Sequence, residues 1–299
     1  MQTIPHQAGE PMTVDTYREL TRVLQERLPT LAPGQQRIAK VLLDDPDGTA
    51  FRTIAETADI AGVNQSSLVR FSALLGLKGY PALVKLCQQN LAKEANLINR
   101  LEQSEKHAES QSLFDAVLEH EKSNLLRTYA RIEEADWSRT VDQLSQAPRI
   151  YVMGLRKCSA IAQLFTYLLH LVRPGVEQIA PATGVIIDQL RDLDPEGVFV
   201  AMSIRRYTAD TVRALKHAKD SGLKTIALTD DPSSPLARLA ETTFYIDTEG
   251  VTILRSMSVF TSVVQTLATA VTIRSGARSR NELMLDEQLL EDFNVYYKD

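Results

Sequence analysis

The chain has 299 residues, of which 44% are hydrophobic and 24% are charged, and its formal net charge is -5. This length is sufficient for two domains with cores of their own, and the composition is that of an ordinary globular protein. The acidic balance argues against a protein that coats nucleic acid non-specifically. A net negative charge remains compatible with a protein in which one domain binds DNA and the rest of the chain is acidic.

Cysteine usage and the N-terminus narrow the class of protein further. Cys87 and Cys158 are the two cysteines, and their separation fits no metal-binding motif, so we expect neither a disulfide nor a metal site. Residues 1–12 lack the basic and apolar regions of a signal peptide, and no apolar run approaches the roughly 18 residues of a membrane-spanning helix. The sequence therefore predicts a cytoplasmic protein without a membrane segment, and it indicates no cofactor.

Residues 13–91 are predicted to form an all-helical domain. Apolar side chains at helical spacing predict helices over residues 14–28, 35–43 and about 82–91. The cluster Asp44-Asp45-Pro46-Asp47-Gly48 is typical of a turn. The most informative local pattern lies between that turn and the last helix, over residues 54–75.

Residues 54–75 contain two short apolar faces at helical spacing, interrupted at Gly62. Two short helices joined by a glycine-containing turn form a helix-turn-helix. Ala58 is small enough to let the helices approach closely, and Gly62 can adopt the positive φ of such a turn. Asn64 is a favoured N-cap for the second helix, because its side chain can accept a hydrogen bond from a free backbone N–H.

The outward positions of the second helix carry groups suited to base edges and phosphates in a major groove. The candidate DNA-contacting residues are Gln65, Ser66, Ser67, Arg70 and Lys78. No acidic residue occurs between Asp59 and Glu94, as a surface that faces phosphates requires. We therefore expect double-stranded DNA to be a partner. The alternative is a plain helical hairpin that packs on its neighbours.

Residues 92–112 are polar and weakly patterned, which predicts a linker, with a partly helical form left open. Residues 113–299 are predicted to form a second domain. It begins with an amphipathic helix over 113–132, whose apolar side chains we expect to face inward (Leu113, Phe114, Val117, Leu118, Leu125, Leu126 and Tyr129). From residue 150, short β-branched runs alternate with helical patterns. The five predicted strands cover residues 150–153, 176–179, 198–203, 225–229 and 244–246. Such alternation predicts a parallel sheet covered by helices on both faces.

Ligands of open α/β sheets lie at the carboxyl ends of the strands. The loop after the first predicted strand combines glycine, cationic and hydroxyl side chains before a helix, and the loop after the third has hydroxyls and two arginines. The candidate ligand-binding residues are Gly154, Arg156, Cys158, Ser159, Ser203, Arg205, Arg206 and Thr208. Backbone N–H groups at a helix start and arginine forks both bind anions, so we expect a small anionic metabolite here.

These loops also have simpler interpretations. Hydroxyl residues before helices often serve only as N-caps, and Arg205 and Arg206 can instead pair with acids at a subunit interface. Cys158 stands where a helix dipole can depress its pKa, which leaves redox sensing as a further possibility.

Motifs in both halves resemble the RpiR-type transcriptional regulators, which join a helix-turn-helix domain to a C-terminal sugar isomerase (SIS) domain. The N-terminal resemblance rests on the Val-Arg-Phe of 69–71 and the Gly-Tyr-Pro of 79–81. The C-terminal resemblance rests on YVMGLRKCSAIA, VAMSIRRYTADTV and ALTDDPSSPLARLA. The resemblance implies a five-stranded SIS-like α/β sandwich that binds a phosphorylated sugar. It also implies a homodimer or homotetramer whose DNA affinity is shifted by the ligand.

The two loops depart from the pattern of the family. Many SIS domains have glycine and then serine where this chain has Arg156 and Cys158. They have a Ser-x-Ser-Gly run where this chain has Ser203 followed by Arg205 and Arg206. The departure leaves three alternatives: the phosphate is held by arginine forks instead of serine hydroxyls, the ligand is a different anion, or the site is degenerate.

The leading hypothesis is thus a DNA-binding transcriptional regulator that responds to an anionic metabolite, with no catalytic residues. One alternative is a sugar-phosphate isomerase with an appended helical domain. Isomerisation needs a general base, usually Glu or His, and Glu249 and His217 are the candidates. A second alternative is a metabolite-sensing adaptor that binds protein through its helical domain.

Overall fold

A computed structural model describes residues 14–94, 97–110, 112–181 and 185–297. The chain divides into two compact units, Met1–Asn96 and Leu97–Asp299. The division falls inside the predicted linker 92–112. Each unit has a core of its own, and we describe each separately.

The first unit is all-helical within its described residues, as predicted. Its helices are α1 (Tyr17–Arg27), α2 (Pro33–Asp44), α3 (Pro46–Phe51), α4 (Ile54–Ala61), α5 (Gln65–Leu74) and α6 (Tyr80–Glu94). Their apolar faces meet in one core, in which Leu20, Ile38, Leu68, Phe71 and Leu83 are almost completely buried. Capping boxes fix the starts of two helices, because Thr16 pairs with Glu19 at α1 and Thr53 pairs with Glu56 at α4.

Helix α3 lies where a turn was predicted. Pro46 occupies the first turn of the helix, where its missing N–H is not needed. The Asp45 carboxylate accepts a hydrogen bond from the backbone N–H of Gly48 (2.8 Å) and caps the start. The turn-forming residues at 44–48 therefore act as a helix start, and the prediction of a simple turn was wrong.

The second unit is an α/β sandwich, as predicted. Its helices are α7 (Leu97–Ser110), α8 (Leu113–Ala130), α9 (Glu134–Gln146), α10 (Cys158–His170), α11 (Ile186–Arg191), α12 (Ala209–Asp220), α13 (Ser258–Ser275) and α14 (Ala277–Asp292). Its strands are β1 (Ile150–Gly154), β2 (Val176–Ile179), β3 (Val198–Met202), β4 (Lys224–Thr229) and β5 (Thr242–Tyr245). The five strands form one sheet in the order β2-β1-β3-β4-β5, with every pair parallel.

Both faces of the central strands β1 and β3 are buried, which explains why these two strands are apolar at every position. Ile150 and Val152 of β1 pack into a core with α9, α10 and α13. Tyr151 and Met153, the alternate residues of β1, pack into the opposite core with α12. The chain passes from β1 to β2 on one side and then to β3 on the other. The topological switch point therefore lies between β1 and β3, where ligands of such sheets bind.

Residues 97–110 of the predicted linker form helix α7, which packs on the second unit. The Arg100 guanidinium donates hydrogen bonds to the carbonyl oxygens of Gly250, Thr252 and Ile253 at 2.8 to 3.0 Å. The Ser104 hydroxyl donates to the Val251 carbonyl. Residues 97–110 are thus helical, which the prediction of a linker had left open. The contacts of Arg100 and Ser104 have no local sequence signal, because their partners lie about 150 residues away.

Helix α8 exposes most of the apolar face that was predicted to point inward. Phe114 is 89% exposed and Leu126 is 74% exposed, whereas Ala116, Asn124 and Thr128 are buried. The buried Asn124 side chain donates to the Glu249 carbonyl, and Thr128 accepts from the Asp247 N–H. The helix was correctly predicted, but its inward side is polar and its apolar side is open.

Candidate functional site

The predicted helix-turn-helix consists of α4 and α5, joined by residues 62–64. Gly62 has φ +60° and ends α4, so the predicted positive φ is confirmed. The Val63 N–H donates to the Ala58 carbonyl (2.9 Å) and closes the turn. Arg37 of α2 then donates to the carbonyls of Ala61 (3.0 Å) and Gly62 (3.1 Å). This arginine fixes the turn from outside the motif, and sequence analysis did not identify it.

Helix α5 places the candidate DNA-contacting residues on its open side. Gln65, Ser66 and Arg70 are exposed, Ser67 is half-buried, and Lys78 is exposed in the following turn. The opposite side of α5 contributes Leu68, Phe71 and Ser72 to the buried interior. A side chain that was not predicted, Val69, shares the open face and is 47% exposed.

The predicted cap at Asn64 takes a different form. Asn64 occupies the N-cap position of α5, but its side chain makes no capping hydrogen bond. Its backbone carbonyl instead accepts from the Ser67 N–H (2.8 Å). The Asn64 side chain is therefore not used by the helix start and lies exposed beside Gln65.

Tyr80 explains the structural role of the Gly-Tyr-Pro motif. Its phenol oxygen lies 2.6 Å from the Thr57 hydroxyl of α4 and donates to the Arg52 carbonyl (3.2 Å). Burial raises the pKa of Tyr80, so the phenol stays a neutral hydrogen-bonding group. The start of α6 is thereby fixed to the first helix of the helix-turn-helix.

In the second unit, the sheet register brings three loops to one edge. Gly154 pairs with Met202, and Met202 pairs with Leu228, so the loops after β1, β3 and β4 start side by side. A Cβ atom at Gly154 would lie 2.6 Å from the Cys158 carbonyl oxygen, so only glycine permits this close approach. Arg156 is exposed with φ +54°, and Ser159 donates to the Arg156 carbonyl.

The loop after β3 is held by the loop after β4. Arg205 donates from its backbone N–H to Asp230 (3.0 Å) and from its guanidinium to Asp231 (2.8 Å). The simpler interpretation of an arginine paired with acids is thus correct for Arg205, but the acids belong to the same chain. Arg206 is exposed with φ +65°. The Arg205 guanidinium is therefore already paired in this fold, and its contact with an anion stays a prediction.

The hydroxyls of this loop also have partners in the fold. The Ser203 hydroxyl accepts from the Thr208 N–H (3.2 Å), and the Ser203 carbonyl accepts from Thr229 (2.8 Å). Ser203 is buried, whereas Thr208 is half-buried and its side chain forms no cap. Both residues stabilise the β3 loop.

Asp230 and Tyr207 are the central buried groups that sequence analysis did not select. The Tyr207 hydroxyl donates to Asp230 (2.9 Å). Burial raises the pKa of both side chains. Burial also acts to raise the pKa of Asp231, but hydrogen bonds from Ser233 and the charge of Arg205 outweigh it, so that pKa lies below its usual value. The sequence feature that could have identified Asp230 is the pair of acidic residues directly after β4.

Cys158 contradicts the expectation of a depressed pKa. The thiol is buried at the start of α10, and loss of solvent raises its pKa to about 12, assisted by the negative charge of Asp230. The N–H of Ile204 favours the thiolate but does not offset the burial. A thiol that stays protonated at neutral pH is a poor nucleophile, which removes the basis for redox sensing.

The two candidate bases of the isomerase hypothesis contact residues other than the cluster around Asp230. His217 is in the last turn of α12, roughly 12 Å along the helix axis from the β3 loop at a rise of ~1.5 Å per residue. Its Nε2 atom contacts the Leu190 carbonyl. Glu249 is exposed and lies 3.8 Å from Arg127. Neither side chain joins the cluster around Asp230.

Two further properties concern metals and membranes. Nowhere in the described residues do three or more His, Cys, Asp or Glu side chains gather so as to hold a metal ion. None of the described helices combines the length and apolar character that crossing a bilayer demands.

Comparisons with known proteins agree with these two units. A model described as the helix-turn-helix domain of the rpiR family matches residues 18–94, and a SIS domain model matches residues 143–273. The HTH-type transcriptional regulator HexR of Pseudomonas aeruginosa is 26% identical over 266 residues, covering 87% of this chain and 91% of HexR. HexR of Escherichia coli is 25% identical over 275 residues, which cover 90% of this chain and 93% of that HexR.

Two solved structures share the fold. The sugar isomerase domain of an RpiR transcription factor from Sphaerobacter thermophilus superposes with a TM-score of 0.57 at 26% identity, covering 60% of this chain and 99% of that chain. The Vibrio vulnificus NanR protein complexed with ManNAc-6P superposes with a TM-score of 0.58 at 16% identity, covering 92% of this chain and 98% of the NanR chain. The class is therefore a helix-turn-helix regulator with a C-terminal SIS domain. Residues 18–94 match the helix-turn-helix domain of the rpiR family, and residues 143–273 match the SIS domain.

Proposed function

We propose that this protein regulates transcription from a double-stranded DNA operator in the cytoplasm, and that α5 reads the major groove. The observation that carries the proposal is the open face of α5, where Gln65, Ser66 and Arg70 are exposed and where no acid occurs between Asp59 and Glu94. The hydrogen bonds from Arg37 to the turn hold α5 at a fixed angle to α4, as recognition of the major groove requires. The family match over residues 18–94 supports the same conclusion.

We propose that the second unit binds a small anionic metabolite, with a phosphorylated sugar as the expected class. The SIS match and the ManNAc-6P bound in NanR support this class of ligand. Of the predicted residues, Gly154, Arg156 and Ser159 border the switch point, and Arg206 is exposed beside it. Arg205, Ser203 and Thr208 shape the site through contacts within the chain.

We further propose that the protein is a regulator and not an isomerase. His217 lies along α12 from the β3 loop, the Glu249 carboxylate faces Arg127 of α8, and Asp230 is enclosed by Arg205 and Tyr207. If the metabolite shifts operator affinity, operator DNA must shift metabolite affinity by the same factor. Selection of random duplex DNA by the purified protein tests the proposal. Enrichment of a two-fold symmetric site supports it, and failure to enrich any site with or without sugar phosphates contradicts it.

Arg70→Ala is expected to weaken operator binding by about 1–3 kcal/mol, because it removes a cation aimed at bases or phosphates. Binding titrations at several salt concentrations provide the measurement, and loss of a phosphate contact also flattens the salt dependence by about one unit. Arg22→Ala is the matched control, since Arg22 is an exposed arginine of α1 paired with Glu26. Equal operator affinity for wild type and Arg70→Ala would remove Arg70 from the interface.

We propose that the open apolar face of α8 is covered by a second copy of the chain. An exposed stripe that includes Phe114, Leu118 and Leu126 is unusual for a monomer in water. Leu126→Glu would place a charge in that contact and is expected to shift the protein to the monomer in light scattering. Ile187→Glu, at an exposed apolar residue of α11, is the control. An unchanged oligomer in Leu126→Glu would exclude this face as the interface.

A further inference from the structure

The Asn64 side chain, at the end of the turn in the helix-turn-helix, has no hydrogen-bond or ion-pair partner among the described residues. Asn64 occupies the N-cap position of α5 with φ -77° and ψ 150°. This extended backbone is the conformation in which a side chain can cap a helix. The side chain nevertheless makes no capping hydrogen bond and is exposed. Its amide is therefore available to a group from outside the chain.

Other helices of the first unit begin differently. Thr16 at α1, Asp45 at α3 and Thr53 at α4 each accept a hydrogen bond from a backbone N–H of the helix that they begin, at 2.8 to 3.3 Å. Asparagine is as good a capping residue as these. At α5 the Asn64 carbonyl accepts from the Ser67 N–H (2.8 Å) instead. The helix thus begins through a backbone contact that leaves the side-chain amide unused.

The backbone that carries this amide is held on both sides. Arg37 donates hydrogen bonds to the carbonyls of Ala61 (3.0 Å) and Gly62 (3.1 Å), just before Asn64. The contact with Ser67 holds the residue from the other side. A short side chain on a fixed backbone loses little conformational entropy when it binds. The fold of the first unit therefore determines where the amide points before any DNA is bound.

The space beside Asn64 suits an uncharged polar group better than a phosphate. An open cavity of about 520 Å³ lies against Asn64 and Ser67, bordered by α2, α4 and the turn. Within the described part of the chain, its charged lining residues are Arg37 and Asp59. The Arg37 guanidinium already donates to two carbonyls of the turn, and Asp59 would repel a phosphate. The edge of a base carries hydrogen-bonding groups without a formal charge.

The chemistry of the amide selects one base. An asparagine side chain presents an acceptor oxygen and a donor NH₂ side by side. In the major groove, adenine presents the complementary pair, an acceptor at N7 and a donor at N6, whereas guanine presents two acceptors there. Residues at the N-terminal end of a recognition helix are the ones that contact base edges. Asn64 stands at that end of α5, so adenine is the base that its amide fits.

We propose that Asn64 determines operator specificity by binding the edge of an adenine in the major groove. This inference rests on the proposed function, since it adds a residue and a base preference to the helix that reads the operator. Sequence reasoning favours capping for an asparagine at this position. The unused amide and the uncharged space beside it support base recognition instead.

Selection of random duplex DNA by the full-length chain, followed by titrations with altered sites, tests the base preference. The wild type should prefer adenine at one position of each half-site by about 5- to 150-fold, the value of a bidentate contact. Asn64→Ala should lose this preference alone and keep its salt dependence, because no phosphate contact is removed. Asn64→Asp should prefer cytosine there, since a carboxylate accepts from the N4 amino group. Asn281→Ala, at an exposed asparagine of α14, should keep every preference.

Denaturant unfolding of the same variants separates base recognition from capping. Loss of a cap changes the folding equilibrium about fivefold, and Thr53→Ala should show this loss because its hydroxyl caps α4. Asn64→Ala should change the equilibrium by less than about twofold, since no capping bond is removed.

The outcomes distinguish the assignment of Asn64 from the regulator proposal. Destabilisation of Asn64→Ala as large as that of Thr53→Ala overturns the assignment, and so does a base preference identical in wild type and Asn64→Ala. Both results leave the regulator proposal intact if the wild type enriches a site. A wild type that enriches no site with or without sugar phosphates contradicts the regulator proposal, and the assignment of Asn64 is overturned with it.

Discussion

Phe71→Ala is expected to destabilise the N-terminal unit by about 3–5 kcal/mol and to abolish operator binding. Phe71 is 1% exposed and joins α5 to the core of the first unit. Truncating a buried phenylalanine removes its transfer free energy and leaves a cavity, which together account for that magnitude. A unit of roughly 80 residues has a total stability of about 4–12 kcal/mol. The expected loss is therefore a large share of the stability of this unit.

Scanning calorimetry of the full-length protein measures this effect, with phosphate binding as a report on the second unit. The transition of the first unit should move to lower temperature while the second unit keeps its transition and its phosphate affinity. Phe71→Leu is the matched control and should lose less than about 1.5 kcal/mol, since it preserves much of the volume. Val69→Ala, on the open face of the same helix, should leave the stability almost unchanged. Retention of full operator affinity in Phe71→Ala would contradict the requirement for a packed α5.

The elements that sequence analysis predicted correctly are those whose signal is local. The first four strands alternate with helices in a pattern that periodicity reveals, and β2 matches the predicted residues 176–179. The turn at Gly62 is equally local, because one glycine and two flanking apolar faces determine it. The structure adds the order of the strands, which depends on how the crossovers pack.

Contacts between distant residues were missed for a physical reason. Arg37 binds carbonyls 24 and 25 residues along the chain, and Tyr80 binds Thr57 over 23 residues. A side chain that can donate a hydrogen bond does not reveal in its own sequence which acceptor it will meet. The same limit applies to Arg100, whose polar surroundings in the sequence resemble those of a linker.

The candidate ligand site shows how tertiary packing alters the chemistry of correctly located residues. The loops after β1 and β3 lie at one edge of the sheet, as predicted. The expected effect of the helix dipole on Cys158 is smaller than the effect of its burial, and the amount of burial is a property of the folded chain. Arg205 likewise meets Asp230 and Asp231 only when β3 and β4 are adjacent.

On α8, a helical period identified the helix but not its buried side. Apolar side chains repeat along one face, yet the polar Asn124 and Thr128 face inward, where they hold the backbone of residues 247–249. A periodic apolar face predicts that something covers it, and in an oligomer the cover can be another chain. The sequence pattern of α8 thus shows that its apolar face should be buried, but it does not show which residues or which chain bury it.

Asp230→Ala is expected to destabilise the second unit by about 3–5 kcal/mol, the usual effect of removing one partner from a buried charged group. The side chain of Asp230 is 4% exposed and accepts hydrogen bonds from the Arg205 N–H and the Tyr207 hydroxyl. Both donors would lose their acceptor in a site that water does not reach. Denaturant unfolding of the full-length protein, followed through the second transition, provides the measurement. Asp188→Ala, which removes an exposed pair with Arg191, should change the stability by less than about 1 kcal/mol.

The pH dependence of Asp230→Asn separates the charge of this residue from its hydrogen bonds. Burial raises the pKa of Asp230 above that of the unfolded chain. The folded state therefore holds its proton more tightly, and the contribution of Asp230 to stability is greatest at low pH and declines as pH rises through the folded pKa. Asparagine cannot ionise, so the stability of Asp230→Asn relative to wild type should improve as the pH is raised from about 4 towards neutrality. A relative stability that instead worsens with rising pH would show that Arg205 stabilises the carboxylate more than burial opposes it, and would give the ion pair the larger role in holding the two loops together.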